Sequence, residues 1–413
     1  MLVSFSVENF RSFRDRVTLD LRTPGGAAPG AKPWDGNLAP VAAIYGANAS
    51  GKSNLVRAIR MMQSHVLMSY GLGARGTTPF AFDTTSKDRP TRFEIMVIAE
   101  DGLCYAYGYS MFRGTVQDEW AERYSSRWPT TLFHRTGSTL EFGRALRGPN
   151  RAVEATLKPS SLFLSAAMAA NHVGLMPLWS WFVDQASPFP SHAENYLLSD
   201  VVKGMADNPE FADRLTGYLG RADLGISGLD VSVITGPIEP GDLLYVTGDT
   251  SPAERQSSAY RAFSRHGIDG QEFTLPLGEE SDGTLAMLCH AYILEGTMHH
   301  GATIIFDELD ASLHPLLVRE LVTLFKDPAR NPNQAQLIFT THNSALLDSG
   351  YLDGAVVTRD DMWLTERDRH GVSTLASVIE CGAGKRDNLA PRYLAGRYGG
   401  VPEPLPLLDP MLV

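Results

Sequence analysis

The sequence predicts an α/β fold: a mixed sheet carrying a phosphate-binding loop, an antiparallel β subdomain, and an inserted, mainly helical lobe. Three observations predict it. Residues 46–53, GANASGKS, fit G-x-x-x-x-G-K-[ST] as Gly46, Gly51, Lys52 and Ser53, with an apolar run before them (41–45) and helical apolar spacing after them (Leu55, Ile59, Met62, Val66). The β-branched run 302–306 ends in Asp307-Glu308, and residues 91–142 are rich in β-branched and aromatic residues between turn signals.

In chain order, residues 2–10 alternate Val3, Phe5 and Val7 with Ser4, Ser6 and Glu8, the period of a half-buried strand, and residues 17–21 read as its hairpin partner. A Pro/Gly loop at 23–33 leads to strand 41–45, the phosphate loop and a helix over 53–68; a glycine-rich connector follows at 69–79. The segment 91–142 reads as an antiparallel meander. Residues 162–170, 175–186, 196–206 and 209–219 carry helix-like apolar spacing, and 229–276 is mixed and mostly extended, with an exposed loop at 249–258. A helix over 284–298 precedes the Asp-Glu strand, and the α/β pattern then resumes. The domain boundaries expected are 1–90, 91–145, 146–275 and 276–413.

Composition bounds the function. At 413 residues, 43% hydrophobic and 20% charged, the chain reads as folded protein of more than one ordinary domain. A net charge of −11 excludes coating of nucleic acid by bulk electrostatics, while a local basic groove stays open. Cys104, Cys289 and Cys381 have no paired spacing and suit a reducing cytosol. No run of 18 apolar residues and no leader pattern at residues 1–10 are found, so a cytoplasmic protein without a membrane span is expected.

The motifs carry the chemistry. Successive amides of the glycine loop and the start of the following helix form a concavity for phosphate; Lys52 adds a point charge and Ser53 a hydroxyl for Mg²⁺. Asp307 is expected to hold the metal and Glu308 to orient and deprotonate an attacking water. The strand 335–339 runs on to His342, placed to sense the terminal phosphate at the same sheet edge. Ser281-Asp-Gly283 opens a helix, where Ser281 is a natural N-cap and the motif also an anion clasp.

Taken in order, the phosphate loop, Ser281-Asp-Gly283, Ile-Ile-Phe-Asp-Glu308, the Asp310 turn and His342 resemble the ABC-type ATPases of the RecF, SMC and overcoming-lysogenization-defect group. The opening Val7-Glu-Asn-Phe-Arg-Ser-Phe13 is similar to that group's first strand and turn. The resemblance implies an ABC-type P-loop NTPase head that binds and hydrolyses ATP with Mg²⁺, sandwiched between two protomers. One protomer supplies Gly46, Asn48, Ser50, Gly51, Lys52, Ser53, Asn54, Asp307, Glu308 and His342. The other supplies Ser281 and Gly283, with Asp310 near the seam.

The tail, Asp361-Met-Trp-Leu-Thr-Glu366 and residues 390–400, resembles stand-alone AAA-family ATPases of prokaryotic abortive-infection and antiphage loci. That likeness implies a homodimer or higher oligomer controlling a separately encoded, nuclease-like effector. The alternative is a RecF- or SMC-like DNA-repair ATPase that binds DNA directly. The opening strand and the insertion of about 250 residues between Lys52 and Asp307 disfavour a transporter subunit. Two departures stand: neither Gln63 nor Gln117 occupies the position of the family's metal-shell glutamine, and no long heptad array is present. Only 71 residues follow His342, without the carboxylate spacing of an appended nuclease domain.

Overall fold

The computed structural model describes residues 1–23, 38–74, 76–189, 194–222, 224–234, 245–247, 258–311, 313–350, 352 and 354–402. The loop expected at 249–258 falls outside them except for Ser258, as does the loop expected at 23–33 beyond Thr23. The chain opens with β1 (Leu2–Glu8) and β2 (Val17–Asp20), then β3 (Val41–Gly46) and α1 (Lys52–Leu72). The meander is β4 (Thr91–Ile98), β5 (Cys104–Phe112), β6 (Thr115–Tyr124), β7 (Pro129–Thr136) and β8 (Thr139–Phe142). Helices α2 (Asn150–Thr156), α3 (Phe163–Ala169) and α4 (Met176–Ser180) lead to β9 (Ala186–Phe189). Next come α5 (Glu194–Asp207), α6 (Pro209–Arg221), β10 (Ile226–Val233), β11 (Tyr245–Thr247), β12 (Ser258–Ile268), β13 (Gln271–Pro276) and α7 (Asp282–His300). The chain continues with β14 (Thr303–Phe306), α8 (Pro315–Lys326), β15 (Gln336–Thr340), β16 (Met362–Arg367), β17 (Ser373–Ser377) and α9 (Leu389–Leu394).

Among the described residues the strands form three sheets. The first is antiparallel, in the order β2-β1-β4-β5-β6-β7-β8, so the opening hairpin extends the meander. The second runs β17-β16-β3-β15-β14-β9 and is parallel except for the β16–β17 pair. Its central strands β3, β15 and β14 are fully buried, as expected for apolar runs covered on both faces. The third has β12 at its centre, pairing with β10, β11 and β13. This is a mixed α/β fold with an antiparallel β subdomain.

The chain divides into two compact units: residues 1–190, 300–308 and 321–413 form the first, and 191–299 and 309–320 the second. The first unit holds α1 and the first two sheets around one core that includes Phe5, Phe10, Ile44, Leu55, Ile59, Phe93, Tyr107, Ile305 and Ile338. Buried Gln336 on β15 ties the two sheets together. Its Oε1 accepts the Leu2 amide (2.6 Å) and the Thr303 hydroxyl (2.9 Å), and its Nε2 donates to Leu2 O (3.0 Å). In the second unit, α6 and α7 meet through the edge-to-face pair Phe211–Tyr292 and the ion pair Arg214–Glu295.

Helix α2 (Asn150–Thr156) precedes the first helix expected after the meander, at 162–170, and two further elements differ from the expectation. The helix after the phosphate loop continues past Met68 to Leu72, because the Ser161 hydroxyl donates to Ser69 O (3.0 Å) and Ser69 Oγ accepts the Leu162 amide (3.1 Å). The helix expected over 175–186 stops at Ser180, widens into a π-turn at Trp181–Gln185 and gives the edge strand β9. Gln63 causes this: its Nε2 donates to both Phe182 O and Ala186 O at 2.8 Å, fixing the segment against α1. Pro188 is tolerated because β9 is an edge strand. Among the described residues no helix is long and apolar enough to cross a membrane.

Candidate functional site

The site lies in the first unit, at the C-terminal ends of β3, β15 and β14, where doubly wound sheets collect ligands. The phosphate loop leaves β3 at Gly46 (φ 159°), turns through Ala49 (φ 62°) and Gly51 (φ 123°), and enters α1 at Lys52. Glycine is required by contact at both positions. A Cβ on Gly46 would lie 2.4 Å from Thr365 Oγ1 and 2.5 Å from Ser50 Oγ; one on Gly51 would lie 2.7 Å from Ser373 Oγ. Lys52, 6% exposed, folds over the loop and donates to Gly46 O (2.7 Å) and Ala47 O (3.0 Å).

Hydrogen bonds link the loop to the acidic strand. The Ser53 hydroxyl donates to Asp307 Oδ1 (3.0 Å), and the Thr340 hydroxyl donates to the same oxygen (2.9 Å). Thr340 Oγ1 in turn accepts the Glu308 amide (2.7 Å). Fully buried Thr340 therefore sets the ends of β15 and β14 against one another. Glu308 has left-handed backbone (φ 59°), a strained state for a side chain of its size, and lines the cavity over the loop.

That cavity has a volume of about 410 Å³ and is walled by Arg11, Ser12, residues 48–54, Arg57, Thr78, Pro79, Ala81, Phe82, Glu308, His342 and Arg367. Arg11, Lys52, Arg57 and Arg367 stand against the carboxylate of Glu308, so an acidic chain has a cationic cavity suited to an anion. Burial, and then the nearby Arg57 guanidinium, lower the pKa of Arg11 below its ordinary value. Ser53 and Asp307 offer hard oxygen donors 3.0 Å apart, the donor type that Mg²⁺ takes when phosphates and waters complete its shell.

The sequence reading brought Gly46, Asn48, Ser50, Gly51, Lys52, Ser53, Asn54, Asp307, Glu308 and His342 to this region, and the structure gathers them in the first unit. Ser281, Gly283 and Asp310 belong to the second unit. There Ser281 caps α7: its Oγ accepts the Thr284 amide (3.1 Å). Preceding it, Glu280 is held by Ser264 and by His266 Nε2 (2.7 Å) of β12. Gln63 and Gln117 bond to nearby backbone carbonyls.

Several residues escaped the sequence reading. Ser50 Oγ pairs with Thr365 Oγ1 (2.6 Å), the Ser373 hydroxyl donates to Ser50 O (2.5 Å), and Asn54 Nδ2 donates to Ser12 Oγ (2.8 Å). The Ser373 amide bonds Ser12 O (2.7 Å), closing a collar of residues from both ends of the chain around the loop. The tail joins it: Tyr393 stands edge-on to Tyr45, ring centroids 5.5 Å apart, and donates to Gly400 O (3.3 Å). Thr340 was within reach of sequence reasoning, since it opens the Thr-Thr-His run at the end of β15. Thr365 and Ser373 were not, because nothing local marks them.

Fold and site define the class: an α/β domain with a P-loop at the C-terminal edge of its parallel sheet. Residues 41–348 match the family model described as "AAA domain, putative AbiEii toxin, Type IV TA system", and the chain belongs to that family. Comparison with curated proteins gave no match. Among solved structures, an SMC head bound to the C-winged helix domain of ScpA is 14% identical with a TM-score of 0.44, covering 91% of this chain and 96% of that one. The SMC head domain from Thermotoga maritima is 14% identical (TM-score 0.39; 91% and 98% covered). The recombination mediator RecF in its ATPrS form is 13% identical (TM-score 0.37; 91% and 98% covered). Scores below one half add no weight to the family assignment.

Proposed function

We propose that the chain is an ATP-driven switch that binds and hydrolyses ATP with Mg²⁺, closes as a dimer around nucleotide, and so controls a separate effector protein in prokaryotic antiphage defence. One observation carries the catalytic part: the hydrogen-bonded path Ser53–Asp307–Thr340–Glu308, which couples the phosphate loop to the acidic strand at the wall of a cationic cavity. In this reading the loop amides and Lys52 bind the β- and γ-phosphates, Lys52 exchanging its carbonyl partners for phosphate oxygens. Ser53 and Asp307 would hold Mg²⁺, which supplies charge neutralisation at the phosphates when bound. Glu308 orients a water and takes its proton, and His342 contacts the terminal phosphate.

Ser281 and Gly283, with Asp310, would come from a second copy of the chain, making the site complete only in the dimer. A dimer closed by ATP and opened by hydrolysis is a two-state element that nucleotide biases through differential affinity. The effector role rests on the likeness of the tail, residues 361–366 and 390–400, to stand-alone ATPases of antiphage loci; the family description itself places the words "putative AbiEii toxin" on the matched domain. A cytoplasmic location is the reading that the sequence spacing of Cys104, Cys289 and Cys381 suits.

Paired variants test this. Lys52→Ala is expected to lose nucleotide binding by at least about a hundredfold, and Ser281→Arg to bind ATP without hydrolysing it. Mixing the two should restore turnover through hybrid dimers. A Ser281→Arg chain that hydrolyses at the parental rate would remove the composite site. Turnover stimulated by duplex DNA, with a steep salt dependence of binding, would move the reading to a DNA-directed ATPase.

A further inference from the structure

We propose that Phe82 is the stacking platform for the base of a nucleoside triphosphate whose phosphates occupy the loop 46–53. The inference rests on the nucleotide reading above and names the part of the ligand that reading left unassigned. Phe82 is two-thirds exposed (67%), yet it lines the same cavity as Lys52, Ser53 and Glu308. Single exposed aromatics are common on protein surfaces and need no role. This one differs in being held in place.

Three anchors fix it. The buried ring of Phe80 meets it edge-on at 5.8 Å between centroids. The Arg367 guanidinium lies 5.2 Å from its centroid, a cation–π contact, and is itself oriented by Nε donating to Gly371 O (3.1 Å). Gly371 (φ 79°) packs so closely that a Cβ there would come within 2.8 Å of the ring. The surrounding loop is equally constrained. Asn9 Oδ1 accepts the Phe80 amide (3.1 Å), and Asp83 accepts the amides of Thr85 (2.6 Å) and Ser86 (3.3 Å) as well as both hydroxyls.

An aromatic immobilised by packing yet open to a cavity meets a base without a further ordering cost, and any base offers a π-face to it. The cavity volume of about 410 Å³ is on the scale of small-ligand sites, roughly 300–1,000 Å³. Trp128 is a built-in control. It is equally exposed (67%) and also carries a guanidinium, that of Arg127 at 4.7 Å, but it lines neither this cavity nor the 900 Å³ one beside it.

Calorimetric titration of the full chain with ATP and with inorganic tripolyphosphate, each with Mg²⁺, tests the proposal. Phe82→Ala is expected to weaken ATP about tenfold and leave tripolyphosphate unchanged; Phe82→Trp should retain ATP affinity, and Trp128→Ala both affinities. Parental ATP affinity in Phe82→Ala, or equal loss of both ligands, overturns it. A parent chain that binds neither ligand overturns the phosphate-loop reading itself, a distinguishable result. If tripolyphosphate alone fails to bind the parent, the ATP titrations of the Ala and Trp variants decide on the same criterion.

Discussion

Two acidic centres in the first unit show how environment, more than residue type, separates structure from chemistry. Glu119 on β6 is fully buried and saturated: its oxygens accept the Phe163 amide (2.6 Å), the Leu164 amide (3.0 Å) and the Tyr107 hydroxyl (3.0 Å). Arg135, 3.7 Å away and 2% exposed, balances its charge and donates to Ser161 O (2.7 Å). Burial pushes the Glu119 carboxyl above its ordinary range, against the pull of Arg135 and the amide donors. It serves the start of α3, anchoring the helix to the sheet. Glu308, by contrast, is half-buried, sits on strained backbone, and faces a cavity walled by four cations. A carboxylate whose hydrogen-bonding capacity is spent inside the protein holds a fold; one turned toward a cavity is available for reaction.

The sharpest way to break that contrast is Glu308→Gln. Turnover should fall by about 10²–10⁴-fold while ATP binding persists and the dimer accumulates in light scattering. Parental turnover would show that Glu308 is not the base. Next in size, Glu119→Ala should cost about 3–5 kcal/mol in urea unfolding, because Arg135 is left buried without its partner. Nucleotide affinity of the folded fraction should be unchanged; a selective loss of affinity would place Glu119 in the site after all. Smallest is Thr365→Val, which removes the brace on Ser50 at constant volume. We expect about 1 kcal/mol, read as a several-fold weaker ATP affinity, with Thr365→Ser restoring it. An unchanged affinity would reduce the collar to packing.

Much of this was legible beforehand for a physical reason. The loop 46–53, the run ending in Asp307-Glu308 and the helices at α5, α6 and α7 follow local rules of spacing, periodicity and capping. Ser281 was readable as a helix cap on the same basis. β9 was not, since a short segment after a helix gives no period of its own, and Gln63 from a distant helix decides where that helix ends. Nor did anything in the sequence around Phe82 distinguish it from other aromatics.

By itself, then, the sequence determined which residues are candidates for the chemistry, because a phosphate loop and an acidic strand end are defined by neighbours in the chain. Only the tertiary structure decided what holds them. Thr365 and Ser373 meet the loop because β16 pairs with β3 and β17 with β16, a strand order that brings together residues more than 300 positions apart, while Ser12 reaches it from the turn between β1 and β2. Local periodicity sets which face of a strand is buried; it does not encode which strand lies beside it.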